Sequence, residues 1–179
     1  MTMRNLLMLA TQAGLLLVLA ACASAPSTTA MQASAPMVAR SKAPGGVVVR
    51  ASGGRETSNM TGAAIADADL KTAIEASLAA AGLFDGRDKV AATRYALQAN
   101  IVQLSKPSFG ASFTVDLEIA WTLVDTKLGT TLLRKSIQSS NTATMSDAVV
   151  GANRMRMAIE GAARKNIEAA IRELSALSY

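Results

Sequence analysis

The stretch from Phe113 to Val124 constrains the fold more than any other part of this chain. Phe113, Val115, Leu117, Ile119, Trp121 and Leu123 occupy alternate positions, with Thr114, Asp116, Glu118 and Thr122 between them. Successive side chains of an extended strand point to opposite faces, so this pattern sends one set into a core and leaves the other wet. Such a strand needs neighbours for its backbone groups and a second layer over its apolar face.

The flanking sequence supplies both. Tyr95 to Leu104 alternates through Tyr95, Leu97, Ala99 and Ile101, with Gln98 and Asn100 opposite. Lys106-Pro107-Ser108-Phe109-Gly110-Ala111 provides turn chemistry towards the central strand, and Asp125-Thr126-Lys127-Leu128-Gly129 leads into a strand over Thr130 to Ser140. Gly45-Gly46-Val47-Val48-Val49-Arg50 predicts a first strand, followed by a polar loop from Ser52 to Gly62 whose Asn59-Met60-Thr61 triplet reads as plain loop. A helix is predicted over 67–81. Asp67 and Asp69 suit its cap and first turn, Leu70, Ile74, Leu78 and Ala81 share a face, and Gly82 suits the left-handed residue that ends it. A last helix is predicted from about Asp147 to Ser175, capped by Ser146 or Asp147, with Val149, Ala152, Ile159, Ala163, Ile167, Ala170, Ile171, Leu174 and Leu177 towards the sheet. On its flank Glu160, Arg164, Glu168 and Arg172 form an i,i+4 ladder of alternating sign that reads as a solvated face. The expected class is α+β, a small sandwich in strand-helix-strand-strand-strand-helix order, with a mostly antiparallel sheet and the helices on one face. It forms a single domain over 47–179.

Composition narrows the chemistry. The chain has no histidine and one cysteine, so Ser-His-Asp and Cys-His nucleophile systems and ordinary Cys/His zinc sites are excluded, as is an internal disulfide. No catalytic set, metal or cofactor is expected. Lys plus Arg number 18 against 13 acidic residues, a net charge of +5 that is spread along the chain. This excess suits anionic lipid or phosphorylated glycolipid and lacks the dense basic run of a nucleic-acid partner.

The amino-terminal segment carries Arg4 and then apolar residues from Leu6 to Ala20, shorter than the roughly 20 needed to span a bilayer, so 1–21 reads as a cleaved export signal. Its end, Leu19-Ala20-Ala21-Cys22, resembles the lipobox of bacterial lipoproteins. The resemblance implies that Cys22 begins the mature chain and carries covalent lipid, including a palmitate-type acyl chain, which anchors the protein to a membrane. Ala23 stands where an aspartate resembles an inner-membrane retention signal, so the expected location is the periplasmic face of the outer membrane. Residues 22–46, rich in Ala, Ser, Thr and Pro, read as a disordered tether.

Three further motifs carry a wider resemblance: Ala81-Gly82-Leu83-Phe84, Tyr95-x-Leu97 and Trp121-x-Leu123-x-Asp125-x-x-x-Gly129. Together they look like the LPS-assembly lipoproteins and the auxiliary lipoproteins of ABC-type lipid transport. Gln103-Leu104-Ser105-Lys106-Pro107-Ser108-Phe109-Gly110 with Phe113-Thr114-Val115-Asp116 resembles a family of small proteobacterial lipoproteins of unestablished role. Some of its relatives carry the label UDP-N-acetylglucosamine acyltransferase. Enzymes of that name use hexapeptide repeats and a histidine base, and this chain has neither. Absence of histidine, of a usable cysteine and of any catalytic motif favours a non-enzymatic accessory module that binds an envelope protein or anionic glycolipid. The alternative is an envelope enzyme acting on glycolipid or peptidoglycan.

Candidate binding residues follow from exposure and charge. Phe109, in a turn between Pro107 and Gly110, could anchor a partner or lie over the core. Arg154, Lys165 and Arg172, with Lys106, could form a phosphate-binding flank. Asp116 and Glu118 are paired carboxylates on the polar strand face, where solvation is the simpler reading. Arg156 projects inside the apolar stripe of the last helix, so it must reach an edge, pair with a carboxylate or face a ligand phosphate.

Overall fold

The computed structural model describes residues 25–34, 42–58, 62–85 and 93–179; the expected export segment 1–21, Cys22 and the Asn59-Met60-Thr61 triplet lie outside them. The elements in chain order are α1 (Thr28–Met31), β1 (Gly46–Ser52), α2 (Asp67–Ala81), β2 (Thr93–Ser105), β3 (Phe113–Asp125), β4 (Thr130–Ala143) and α3 (Gly151–Ser175). The strands form one four-stranded sheet in the order β1-β2-β3-β4. β2, β3 and β4 are antiparallel neighbours, whereas β1 lies parallel to β2, with α2 in the crossover between them. The class is α+β, as the residue pattern predicts.

The alternation of β3 is realised along its whole length. Phe113, Val115, Leu117, Ile119, Trp121 and Leu123 are all buried, while Thr114 and Asp116 are exposed on the other face. Tyr95, Leu97, Ala99 and Ile101 of β2 join the same core. A register shift between Ile101 and Gln103 marks a bulge near the end of β2. Helix α3 packs across β3 and β4, and α2 lies against β1. Close approach of α3 depends on its small residues: a Cβ on Gly161 would lie 2.1 Å from Asn141 Nδ2.

One buried amide ties helix to sheet. Trp121 Nε1 donates to Asn166 Oδ1 at 2.9 Å, and Asn166 Nδ2 donates to Ile137 O at 2.8 Å and to Ser139 Oγ at 3.1 Å. Ser139 Oγ in turn donates to Ala162 O at 2.9 Å. A polar group sealed in an apolar layer is tolerated only when its bonds are made, and these are made to two strands and the helix itself.

The end of the sheet at the β3–β4 turn is closed by polar and aromatic contacts. Arg94 Nη2 lies 2.6 Å from Asp125 Oδ2, and Asp125 Oδ1 accepts the backbone N–H groups of Lys127 at 2.9 Å and Leu128 at 3.1 Å. Phe84, Tyr95 and Tyr179 pack ring against ring beside them, with centroids 5.6 to 6.1 Å apart. Burial pushes the Tyr179 phenol up to about 12. The Trp121-to-Gly129 motif is thus a device of packing and turn geometry: Gly129 takes a φ of 66° that favours glycine.

Several expectations are corrected. The last helix begins at Gly151, with Val150 at its cap position and no side-chain cap. Asp147 closes a turn instead, accepting the Thr144 N–H at 2.7 Å, which leaves Val149 80 % exposed and not facing the sheet. Asp67 does not cap α2 either; its carboxylate accepts the Gly54 N–H at 2.7 Å. Strand β4 runs on to Ala143.

The expected tether 22–46 is largely packed where it is described. Met31 is fully buried, Ala33 N–H donates to Ser77 Oγ at 3.0 Å, and Ala43 pairs with the Leu83–Asp85 segment. The charged ladder of α3 is the reason. Ser27 N–H donates to Glu160 Oε1 at 2.7 Å, Arg164 Nη1 to Ala30 O at 3.3 Å, and Ser34 N–H to Glu168 Oε1 at 3.0 Å. What reads as a solvated face is the rail on which the N-terminal segment lies.

Two outcomes test this account. Trp121→Ala is expected to cost about 3–5 kcal/mol, and Asn166→Leu about 1–3 kcal/mol by stranding the Trp121 N–H and the Ile137 carbonyl; denaturant titration followed by circular dichroism measures both. Arg94, with the backbone N–H groups of Leu128 and Lys127, holds the Asp125 carboxyl below the usual carboxylate range. A carboxyl depressed by folding adds stability that is present above its ordinary value near ~4 and is lost as pH falls through the folded value. Asp125→Asn should therefore be less stable than the native chain at neutrality and should lose less stability on acidification, as thermal melts across that range will show.

Candidate functional site

The other end of the sheet is built differently. The pairings Ser52 with Asn100, Ser105 with Asp116 and Phe113 with Ala143 place the 52–58, 106–112 and 144–150 segments at that end. Beneath the last two lies Arg154, only 7 % exposed. Its Nη1 donates to Ala148 O at 2.9 Å and Val149 O at 2.6 Å, its Nη2 reaches Gly110 O at 3.5 Å, and its guanidinium sits 5.4 Å from the Phe113 ring centroid. A planar cation with a fork of donors is suited to holding two loops together over an aromatic face. Asp147 stiffens the second loop, and the Thr144 backbone and hydroxyl that bond it hold its carboxyl below the ordinary range.

The loops so held carry apolar side chains outward. Phe109 is 88 % exposed, with Met145, Val149 and Val150 exposed beside the 144–150 turn. On the β1–β2 side of the same end lies a cleft of about 430 Å³ lined by Gly53, Arg55, Ile65, Gln103 and Lys106 among others. Gly53 has a φ of 83°, and a Cβ there would lie 2.3 Å from Ile101 O, so the loop can approach β2 this closely only as glycine. Lys106 Nζ donates to Ala63 O, and burial pushes its amine down.

Asp116 and Glu118 line a separate groove on the open sheet face with Gln103, Gln138 and Ser140. Ser136 Oγ and Gln138 Nε2 donate to Glu118 and hold its carboxyl below the usual range. A carboxyl serving as proton donor near neutrality needs the opposite shift.

The sequence-predicted residues are thus distributed over several surfaces. Phe109 and Arg154 come together at one end, with Arg154 beneath the surface as a strut and not on a basic flank. Lys106 leaves the same loop towards the cleft. Lys165 is exposed and donates to Ser140 O at 2.9 Å, and Arg172 is exposed in the last turn of α3. Arg156 is half-buried, its Nε 3.8 Å from Glu160 Oε1, which answers its place in the apolar stripe with a carboxylate. Sequence reasoning missed Met145, Val149 and Val150 as exposed groups. The signal for Val149 and Val150 was the apolar run Ala148-Val149-Val150 between Asp147 and Gly151, taken as the start of the last helix; Met145 stands alone between Thr144 and Ser146.

No family model matches the chain, and no curated protein matches it. Solved structures do. A Xanthomonas campestris protein of the family DUF330 superposes with a TM-score of 0.60 at 12 % identity, over 84 % of this chain and 94 % of its own. That match shows a shared fold. A Caulobacter crescentus protein aligns with a TM-score of 0.48 at 13 % identity, over 83 % of this chain and 91 % of its own. A minor lipoprotein of Acinetobacter baumannii aligns at 0.44 and 11 % identity, over 74 % of this chain and 95 % of its own. At such identities the likeness concerns architecture, and function must be argued from the site.

Replacing the strut tests the site. Arg154→Ala and Arg154→Lys are both expected to cost about 1.5–3 kcal/mol, because an ammonium cannot span the three carbonyls that the guanidinium reaches. Amide hydrogen exchange should rise in 108–112 and 144–153 before it rises elsewhere. Unchanged protection there would show that the loops hold themselves.

Proposed function

We propose that the protein is a lipid-anchored, non-enzymatic accessory of the bacterial envelope, held on the periplasmic face of the outer membrane, that binds an envelope protein or an anionic glycolipid during envelope assembly or lipid transport. The observation that carries this reading is Leu19-Ala20-Ala21-Cys22 behind a short apolar run, with the chain's sole cysteine at the position a diacylglyceryl group requires. Several acyl chains on one cysteine give durable anchoring, since each buried methylene contributes about 0.8 kcal/mol. Absence of histidine supports a binding role, as does a Glu118 carboxyl shifted away from acid catalysis. The surfaces available to a partner are the open sheet face, the outer edge of β4 and the loop end above Arg154.

One observation favours an envelope enzyme as the second reading: the Lys106–Arg55 cleft is concave and basic, and it suits a phosphorylated glycolipid. Incubation of the purified chain with lipid A precursors and with peptidoglycan fragments separates the two, because turnover requires the second reading and stable co-purification of an envelope partner from detergent-solubilised membranes supports the first.

Cys22→Ser is expected to leave a soluble or uncleaved precursor in a Gram-negative host, since only the thiol accepts the lipid. Membrane fractionation decides it. A mature-sized Cys22→Ser protein remaining in the outer membrane would overturn the anchor reading.

A further inference from the structure

The loop end above Arg154 has an apolar surface that nothing else among the described residues covers. Seven large apolar side chains are exposed among those residues, and four of them stand here: Phe109, Met145, Val149 and Val150; the others are Val48, Val102 and Leu128. Single exposed apolar residues are ordinary, but a group on two adjoining loops marks an interaction surface. Arg154 already bonds the carbonyls of both loops, so little further ordering is needed when the surface docks.

The course of the N-terminal segment indicates what lies over this end. Ser27, Ala30 and Ser34 bond in turn to Glu160, Arg164 and Glu168, so the segment runs along α3 in the helix's own direction, away from the apolar end. Followed backwards it heads for Gly151. Glu160 stands nine residues into α3, about 13 Å from its start. Cys22 precedes Ala25 by three residues, a span of at most about 11 Å. A lipid on Cys22 would therefore enter its bilayer within reach of Phe109 and Val149, and a connection this short holds the domain against the head groups.

From these observations we infer that Phe109, Met145, Val149 and Val150 form a membrane-docking tip, seated at the boundary of head groups and acyl chains in the bilayer that holds the Cys22 lipid. Apolar side chains of interfacial proteins seat about 5–10 Å deep at this boundary. Without Arg4, which leaves with the export segment, 17 basic residues stand against 13 acidic ones, and this excess of +4 suits a bilayer containing anionic lipid. The sheet then stands on its loop end, with the Arg94–Asp125 end pointing into the periplasm. This inference rests on the anchor reading of Cys22.

The cysteine content makes both tests clean. The full chain is purified from membranes and reconstituted in vesicles of phosphatidylethanolamine and phosphatidylglycerol, as the native protein and as Phe109→Cys, Val149→Cys and Leu128→Cys. Each is treated with a thiol-reactive nitroxide. The native protein should take up no label, because its only thiol carries lipid; labelling of Cys22 would overturn the anchor reading and the tip with it. In the variants, collision with dissolved oxygen is compared with collision with a water-soluble nickel chelate. Labels at 109 and 149 are expected to favour oxygen several-fold over the label at 128, which is exposed at the opposite end. Equal access of the chelate to all three positions would overturn the tip while leaving the anchor standing. Protection from both reagents at 109 and 149 would also overturn it, by showing a second copy of the chain on that surface.

Discussion

The structure depends on one side-chain amide. Asn166 is fully enclosed between α3 and the sheet, and its oxygen and nitrogen are used on Trp121, Ile137 and Ser139. Satisfying partners on two strands allows the helix a single axial position and a single rotation. A slip of one residue would move the amide by about 1.5 Å and turn it by about 100°, leaving it unbonded in an apolar layer. From the position so chosen the other contacts follow: Gly161 passes Asn141, the Glu160–Glu168 edge faces the N-terminal segment, and Arg154 arrives over Phe113.

Elements whose burial is one-sided were legible in the sequence. The period of two in β3 and the apolar row Leu70-Ile74-Leu78 in α2 both report a core on one side, and both phases are as read. Reading failed where a residue's role depends on groups far along the chain. Val149 fits the helical period of α3 but precedes its first turn, because Asp147 closes a tighter local turn. Arg154 reads as surface charge by type, yet backbone carbonyls of two loops and an aromatic ring solvate it below the surface. The segment Thr28–Met31 has a single turn and no period, so its burial is visible only once α3 is beside it. The run Leu19-Ala20-Ala21-Cys22 is a different kind of signal: it resembles a processing site, which would be read before any fold exists.

The two ends of the sheet have different chemistry. At the β3–β4 turn, Asp125 gathers an arginine and two backbone donors, and three aromatic rings finish the packing. That end spends its polar groups internally. The opposite end turns its arginine inward and its apolar side chains outward, the reverse of the usual surface arrangement. The fold shared with the Xanthomonas campestris protein supplies the frame for both ends but assigns neither a task. Here the side chains on the loops, and not the arrangement of strands and helices, distinguish one end from the other.

The rail of Glu160, Arg164 and Glu168 also sets the order in which the molecule is completed. Ser27 and Glu160 are 133 residues apart, and Ser34 and Glu168 are 134 apart. Contacts of such long range close late, because the loop between the partners must be organised first. The opening segment therefore has no seat until the final helix has been made and packed. Its bonds to α3 are thus among the latest to close, and loss of the final helix would remove the partners of Ser27, Ala30 and Ser34 together. The 25–34 segment thus depends on whether the far end of the chain has folded, so a C-terminal truncation would be felt there as well as at the cut.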